Sequence, residues 1–456
     1  MSPDPARPKA AGAHAEDGER PGLSPARALD VDALLDDPGT RIVVCCGSGG
    51  VGKTTTAAAL ALRAAERGRK VVVLTIDPAK RLAQSMGIDS LDNVPRRVKG
   101  TEDRRPDAGS DDTPGGELHA MMLDMKRTFD EVVEAHADPE RAAQILANPF
   151  YQTVSGGFAG TQEYMAMEKL GQLRAKDEWD LIVVDTPPSR NALDFLDAPK
   201  RLGSFLDGRL IRVLTAPAKL GGRAGMAFLN VGMSMMTGTL GKLLGGQLLK
   251  DVQTFVSAMD TTFGGFRTRA DATFKLLQAP GTAFLVVAAP ERDALREAAY
   301  FVERLAAEKM PLVGLVLNRV HASGAGRLSA ERALAAAENL AEDRIVDQGD
   351  GKAGSRNSPD MYGSSDSAPS EDPAPGAGSP ATDPDRSVDE LTAGLLRLHA
   401  DRMQLLAREQ RTRDRFVSRH PEVALVEVPA LPGDVHDLAG LRDIGDRLSE
   451  GRTELT

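Results

Sequence analysis

Cysteine and long apolar runs are both scarce in this chain of 456 residues, and each scarcity excludes a class of protein. The two cysteines, Cys45 and Cys46, are adjacent, so they supply neither a disulfide framework nor a thiolate metal cage. The formal net charge is -10, which is opposite to the basic surface that a nucleic-acid-binding protein presents. We therefore expect no nucleic-acid partner.

The chain has little that resembles a signal peptide or a membrane span. Residues 1–28 consist mainly of proline, alanine, glycine and charged residues, without the apolar core of a signal peptide. The most membrane-like stretch, residues 224–241, is interrupted by glycines and polar side chains, whereas a spanning helix needs about 20 predominantly apolar residues. We expect a cytoplasmic protein with no stable membrane span.

Composition divides the chain into segments of different character. It predicts a disordered tail over residues 1–28, a folded domain over residues 29–342, and a disordered linker over residues 343–387, which is acidic and rich in proline, glycine and serine. Residues 388–456 are expected to supply a helix and a strand that return to the folded domain. Residues 201–277 contain no convincing strand and are rich in glycine, leucine and methionine, which predicts a helical insertion.

Seven short apolar runs predict the strands of a parallel sheet, because most are rich in β-branched residues and do not alternate with polar ones. Helical patterns at Thr54–Arg67 and Asp293–Glu308 separate several runs, and this alternation predicts a doubly wound α/β fold. The last run should join the same sheet, since a lone strand is not stable. The runs are Ile42–Cys46, Val71–Ile76, Leu118–Leu123, Leu181–Val184, Phe284–Ala288, Leu312–Leu317 and Val423–Val428.

A glycine-rich segment, GSGGVGKT, fits the phosphate-binding pattern G-x-x-x-x-G-K-[ST] and lies between a predicted strand and a predicted helix. Glycines let backbone N–H groups turn toward a phosphate, and the helix N-terminus adds its dipole. We expect Lys53 to reach the β- and γ-phosphates and the Thr54 hydroxyl to bind Mg²⁺. The predicted nucleotide-binding residues of this loop are Gly47, Ser48, Gly49, Gly50, Val51, Gly52, Lys53, Thr54 and Thr55.

Two predicted strands lead into an aspartate that could serve the chemistry of a phosphate-binding site. Asp185 ends the apolar run LIVVD, which is the Walker B pattern, and we predict that it holds Mg²⁺ directly or through water. Asp77 is followed by Pro78, which restricts the turn, and it could orient the attacking water or accept its proton. Each aspartate could instead cap a turn at the end of its strand.

Several motifs together resemble the ArsA/Get family of dimeric ATPases, which includes the arsenite-pump ATPase and the targeting factor for tail-anchored membrane proteins. The resemblance covers about residues 40–340 and 420–445. Family members share a deviant form of the Walker A loop. The matching motifs are GSGGVGKTT at Gly47–Thr55, DPAKRL at Asp77–Leu82, DTPPSRNALDFL at Asp185–Leu196, LNR at Leu317–Arg319 and VPALPGDVHDL at Val428–Leu438.

The resemblance implies a Mg²⁺-dependent ATPase that closes as a dimer over two ATP molecules. Asp77 matches the switch I aspartate that activates water, and Asp185 begins switch II. Asn318 matches the adenine-reading asparagine, Pro429 lies in the loop that flanks adenine, and His321 could lie near the base. The insertion falls where the family carries its client-binding helices. Its methionine-rich composition suits either a groove for an apolar client helix, or a packed core or dimer interface.

The chain also departs from the family pattern. The signature lysine, which in the family reaches the partner's phosphates and stabilises charge in the transition state, is replaced by Ser48. Either Lys80 supplies the missing charge, or the chain pairs with a related subunit that carries the lysine. The alternative function is therefore a catalytically weak regulatory subunit. The CxxC zinc bridge of the eukaryotic targeting factor is missing, and Cys45 and Cys46 are the only thiols, so we expect no arsenite-pump role.

Overall fold

The computed structural model describes seven segments of the chain, which form an eight-stranded sheet with helices on both faces. Asp77, Lys80, the predicted insertion up to residue 267, and most of the predicted tail and linker lie outside the described residues. The described segments are residues 27–76, 81–88, 91–101, 116–155, 161–187, 268–347 and 384–451.

The sheet has the strand order β3-β4-β2-β5-β1-β6-β7-β8. Every neighbouring pair is parallel except β3 with β4. Each of the seven predicted runs forms a strand, so the predicted α/β fold is confirmed; the short edge strand β3 was not predicted. The strands are β1 (Ile42–Cys46), β2 (Lys70–Thr75), β3 (Arg96–Arg97), β4 (Glu117–Met122), β5 (Leu181–Asp185), β6 (Thr282–Ala288), β7 (Leu312–Val320) and β8 (Ala424–Pro429).

The helices connect successive strands, and the two helical patterns in the sequence correspond to α2 and α8. Residues 268–278 form a further helical stretch. Helices α9 and α10 extend a few residues into each end of the predicted linker. The helices are α1 (Val31–Asp36), α2 (Lys53–Glu66), α3 (Arg81–Ser85), α4 (Met125–His136), α5 (Pro139–Leu146), α6 (Pro149–Val154), α7 (Thr161–Lys176), α8 (Arg292–Ala307), α9 (Ala330–Asp347), α10 (Pro384–Arg419) and α11 (Leu438–Glu450).

The core has two halves, one on each face of the sheet. Successive residues of β1 alternate between them: Ile42 and Val44 pack in one half, and Val43 and Cys45 in the other. This explains why the strands read as unbroken apolar runs, because both faces of a parallel sheet are covered. Helix α2 is buried between the sheet and α11, and its small side chains allow close approach: a Cβ added at Gly445 of α11 would lie 3.5 Å from the Ala59 carbonyl oxygen.

The C-terminal segment contributes a long helix and the edge strand β8 to this fold. Helix α10 packs along α9 and buries Ala393 and Ala400. The His399 Nε2 atom lies 2.8 Å from the Leu328 carbonyl oxygen, and Arg402 Nε donates to the Ala322 carbonyl at 2.8 Å. Strand β8 then pairs in parallel with β7. Among the helices of the described segments, none has the length and apolar character that a bilayer crossing requires.

Candidate functional site

The glycine-rich loop leaves β1 at the carboxyl edge of the sheet and leads into α2. Its backbone requires glycine, since φ is +152° at Gly47, +78° at Gly50 and +94° at Gly52. A Cβ at Gly47 would lie 2.1 Å from the carbonyl oxygen of Val287, so a side chain there would push against β6. The tight turn after β1 therefore depends on the loop sequence.

Lys53 is the first residue of α2, and its side chain folds back across the loop. The side chain is only 5% exposed, and Nζ donates a hydrogen bond to the Ser48 carbonyl oxygen at 2.8 Å. A buried ammonium group is costly unless it has polar partners. This hydrogen bond connects the two ends of the loop and keeps a cation at the N-terminus of α2.

Asp185, at the end of β5, is fully buried and accepts hydrogen bonds from two hydroxyl groups. Its Oδ2 atom accepts from Thr54 Oγ1 at 2.7 Å and from Thr75 Oγ1 at 2.9 Å. Thr75 ends β2 and lies in register with Asp185 of β5. The structure thus brings the two predicted metal ligands, Thr54 and Asp185, together, and it adds Thr75, which sequence reasoning missed.

The donor set at this point fits Mg²⁺. The ion prefers hard oxygen ligands and is usually bound through one or two protein oxygens, water and substrate phosphates. Thr54 supplies a hydroxyl oxygen and Asp185 a carboxylate, and their 2.7 Å hydrogen bond places both beside the loop. These two side chains would hold the ion if it binds here.

Backbone contacts fix the segment that follows Asp185. The Thr186 N–H and Oγ1 groups both donate to the Cys45 carbonyl oxygen, at 3.3 and 2.9 Å. The Ile76 N–H donates to the Asp185 carbonyl oxygen at 3.0 Å. The ends of β1, β2 and β5 are therefore joined at one point. Ile76, the last described residue before the predicted switch I segment, and Asp185, the first residue of the predicted switch II segment, both lie at this junction.

The two cysteines lie beside this junction as buried thiols. Burial raises the pKa of Cys45 well above its usual range, and the negative charge of Asp185 raises it further. Burial also raises the pKa of Cys46 to about 12. The Cys46 thiol donates to the Leu285 carbonyl oxygen at 3.6 Å. Both side chains are therefore neutral packing groups at neutral pH. Metalloid ions bind thiolates, which these two side chains do not supply in this state.

Asn318 of β7 contacts the phosphate loop directly. Its side chain is 8% exposed, and Nδ2 donates to the Val51 carbonyl oxygen at 2.8 Å. Its Oδ1 atom accepts from the Arg319 N–H at 3.0 Å, and Arg319 has a left-handed backbone with φ of +61°. A Cβ at Gly52 would lie 2.2 Å from Asn318 Nδ2, so these two residues are in close contact. The adenine-reading role of Asn318 stays a prediction.

Pro429 and His321 lie farther along the same edge of the sheet. Pro429 ends β8, where the next residue, Ala430, donates its N–H to the Val320 carbonyl oxygen at 2.9 Å. His321 is bound to α10: its Nδ1 atom lies 2.6 Å from Glu409 Oε1, and its backbone N–H donates to Glu409 Oε2 at 3.1 Å. The structure gives His321 a connection to α10, and the role of Pro429 beside adenine stays a prediction.

A parallel sheet, a glycine-rich loop opening a helix, and a strand-end aspartate bonded to the threonine of that loop define the class of P-loop nucleotide-binding proteins. Within this class, residues 40–333 match the model of the anion-transporting ATPase family, which is more than half of the chain. The chain belongs to this family, whose members are ATP-hydrolysing enzymes.

Curated relatives that the chain resembles are named ATPase GET3. It is 29% identical over 173 residues to the one from Malassezia globosa, covering 38% of this chain and 46% of that protein. This chain is 26% identical over 296 residues to the relative from Podospora anserina, which covers 64% of this chain and 76% of that protein. It is also 27% identical over 290 residues to the relative from Ajellomyces dermatitidis, which covers 63% of this chain and 75% of that protein. The ArsA/Get resemblance of the sequence motifs is thereby confirmed.

Proposed function

We propose that this ATPase is Mg²⁺-dependent, closes as a dimer over two ATP molecules, and couples its nucleotide state to a helical region that handles a client. The observation that carries the proposal is the convergence of Thr54 and Thr75 on one buried oxygen of Asp185. A fully buried carboxylate at the end of a strand, bonded to the threonine of the phosphate loop, is suited to a metal–phosphate site.

Each side chain of the site has a distinct task in this proposal. Lys53 exchanges the Ser48 carbonyl for the phosphates of ATP, and the Thr54 hydroxyl turns from Asp185 toward the metal. Thr75 keeps its hydrogen bond and holds the carboxylate in the same orientation. Thr54 and Asp185 would hold Mg²⁺, and the ion would supply positive charge that offsets the negative charge developing on the phosphates. Asp77 orients the water that attacks the γ-phosphate.

The coupling follows from where the switch segments begin. Ile76, which precedes switch I, donates its N–H to the carbonyl oxygen of Asp185, which begins switch II, so a change of partners at Asp185 would be felt at the start of each segment. Switch II leads along the chain toward the insertion of residues 201–277. The helical residues at the end of the predicted insertion, from residue 268 on, are attached to the core, because Arg269 Nε donates to the buried carboxylate of Glu168 on α7 at 2.9 Å. These contacts support a mechanical connection between the nucleotide and a client-handling region.

Ser48 favours a second candidate function, that of a regulatory subunit which pairs with a paralogue carrying the signature lysine. In this structure, position 48 contacts Lys53 through its backbone carbonyl. A Ser48→Lys variant distinguishes the two functions. If the chain is a regulatory subunit that lacks only the signature lysine, the added lysine raises ATP turnover by about tenfold or more. A cation that reaches the phosphates from a partner raises the rate by more than that in related systems. If another group already supplies the charge, turnover stays within about twofold.

The proposed chemistry is tested by steady-state ATP hydrolysis across a Mg²⁺ titration. We expect no turnover in excess chelator, and a loss on the order of 100-fold in both Lys53→Ala and Asp185→Asn, because each removes a charge aimed at the phosphates or the metal. The matched control is Asp401→Asn, which removes one carboxylate from an exposed position of α10. Full activity of Asp185→Asn, or metal-independent turnover, contradicts the proposal.

A further inference from the structure

Helices α8 and α10 line an open surface pocket of about 210 Å³ that shares no residue with the nucleotide site. We propose that this pocket binds a small organic anion, with a phosphate group held by its arginines and an apolar body resting on its floor. The lining residues that matter are Arg292, Leu295, Arg296, Arg415, Phe416 and Arg419.

The arginines form two pairs that face each other. Arg292 and Arg296 are one turn apart on α8, and Arg415 and Arg419 are one turn apart on α10. Side chains four residues apart lie on the same face of a helix, so each pair points to the same side. Like charges at this spacing repel each other. An anion between the pairs would relieve the repulsion, and the planar guanidinium group is suited to bidentate binding of phosphate.

Few carboxylates compete for these arginines. Arg296 contacts Asp293 at 3.0 Å, but the two side chains are 73% and 77% exposed, and such a surface pair is weak. Glu422, also exposed, lies 3.6 Å from His420 Nδ1 at the edge of the pocket. No ion pair is recorded in the described segments for Arg292, Arg415 or Arg419. The pocket is therefore strongly cationic, on a chain whose net charge is -10.

The floor of the pocket is apolar. Leu295 and Phe416 are 4% and 5% exposed, and the ring of Phe416 lies 5.0 Å from that of His420. Engineered apolar cavities of about 150 Å³ accept a benzene ring, so a pocket of this size accommodates a single ring beside a phosphate. A ligand whose planar ring rests on Phe416, and whose anionic group points toward the arginines, would contact both the apolar floor and the cationic side chains.

The test uses phenyl phosphate as the probe, titrated by calorimetry into the full-length protein saturated with Mg²⁺ and ADP, so that the phosphate loop is occupied. Inorganic phosphate is the second probe, and it reports the arginines without the apolar floor. Two variants are compared: Arg415→Gln/Arg419→Gln, and the matched control Arg397→Gln. Arg397 is exposed on the same helix and lies about 27 Å from Arg415 along the axis, at 1.5 Å per residue.

We expect saturable binding of phenyl phosphate that is several-fold tighter than binding of inorganic phosphate and weakens as ionic strength rises. Affinity should fall at least about tenfold in Arg415→Gln/Arg419→Gln and stay within twofold in Arg397→Gln, because only the first variant removes hydrogen bonds to the phosphate. The absence of saturable binding, an affinity unchanged in the double variant, or equal affinities for the two probes would overturn the proposal.

Discussion

The substitution Gly47→Ala tests the geometry of the phosphate loop without touching a polar side chain. A Cβ at Gly47 would lie 2.1 Å from the Val287 carbonyl oxygen, which is more than about 1 Å short of an ordinary carbon–oxygen contact. Neither side can easily give way, because β1 and β6 are paired in register up to Cys46 and Val286, next to the point of contact. Gly50→Ala is the matched control, since Gly50 also has positive φ but its Cβ would meet nothing within 4 Å.

The two substitutions should differ in stability by a measurable amount. An alanine with positive φ costs about 1–2 kcal/mol, which applies to both positions. Forcing a side chain into a packed site adds about 1–3 kcal/mol, which applies only to Gly47. We therefore expect Gly47→Ala to lower the free energy of unfolding by about 2–5 kcal/mol, and Gly50→Ala by about 1–2 kcal/mol.

Urea denaturation of the nucleotide-free protein, followed by far-UV circular dichroism, measures this difference. With a slope of about 3 kcal/mol per molar urea, the midpoint of Gly47→Ala should fall by about 1 M, and that of Gly50→Ala by about half as much or less. Equal midpoints for the two variants would refute the reasoning, since the contact with β6 would then carry no cost beyond the backbone strain.

Three further predictions concern the two buried thiols and one ion pair of the core. Burial raises the pKa of Cys46 from 9.0 to about 12, so folding favours the protonated thiol. The stability that this thiol contributes is present below pH 9 and is lost as the pH rises toward 12. The urea midpoint of the wild type should therefore fall more steeply above pH 9 than that of Cys46→Ala. Arsenite and antimonite should leave ATP turnover unchanged, and stimulation by either would show that a thiol becomes available. Glu168→Gln should cost about 3 kcal/mol in urea denaturation, because it removes the buried charge that Arg269 Nε contacts at 2.9 Å. A cost below about 1 kcal/mol would mean that this pair contributes little.

Seven strands could be predicted because each is a short apolar run in the local sequence, which indicates burial. β1 is apolar throughout, β5 is apolar up to Asp185, and both are buried on both faces, so their patterns were sufficient. Strand β3 could not be found this way, since its two exposed arginines form a strand only through pairing with β4. Helices α4–α7, between β4 and β5, were also missed. One local signal was available there: Asp124 caps α4 by accepting a hydrogen bond from the Arg127 N–H at 2.9 Å.

The site was predictable where it follows a motif and not where it depends on register. Thr54 and Asp185 belong to recognisable patterns, and the structure brings them together. Thr75 reaches the same carboxylate only because β2 and β5 align it with Asp185, which no local pattern records. The contact of Asn318 with the Val51 carbonyl likewise depends on how β7 lies relative to the loop. Long-range strand pairing therefore sets the limit of the sequence prediction.

The central claim is that this chain hydrolyses Mg²⁺-ATP by closing as a dimer. The most direct measurement is the specific ATPase activity of the purified chain over a wide range of protein concentration, with Lys53→Ala as the blank. We predict that specific activity rises with concentration and levels off as the dimer saturates, and that Lys53→Ala stays flat near zero. An activity that is already maximal and independent of concentration at the lowest protein levels, with the chain monomeric by light scattering, would contradict the account.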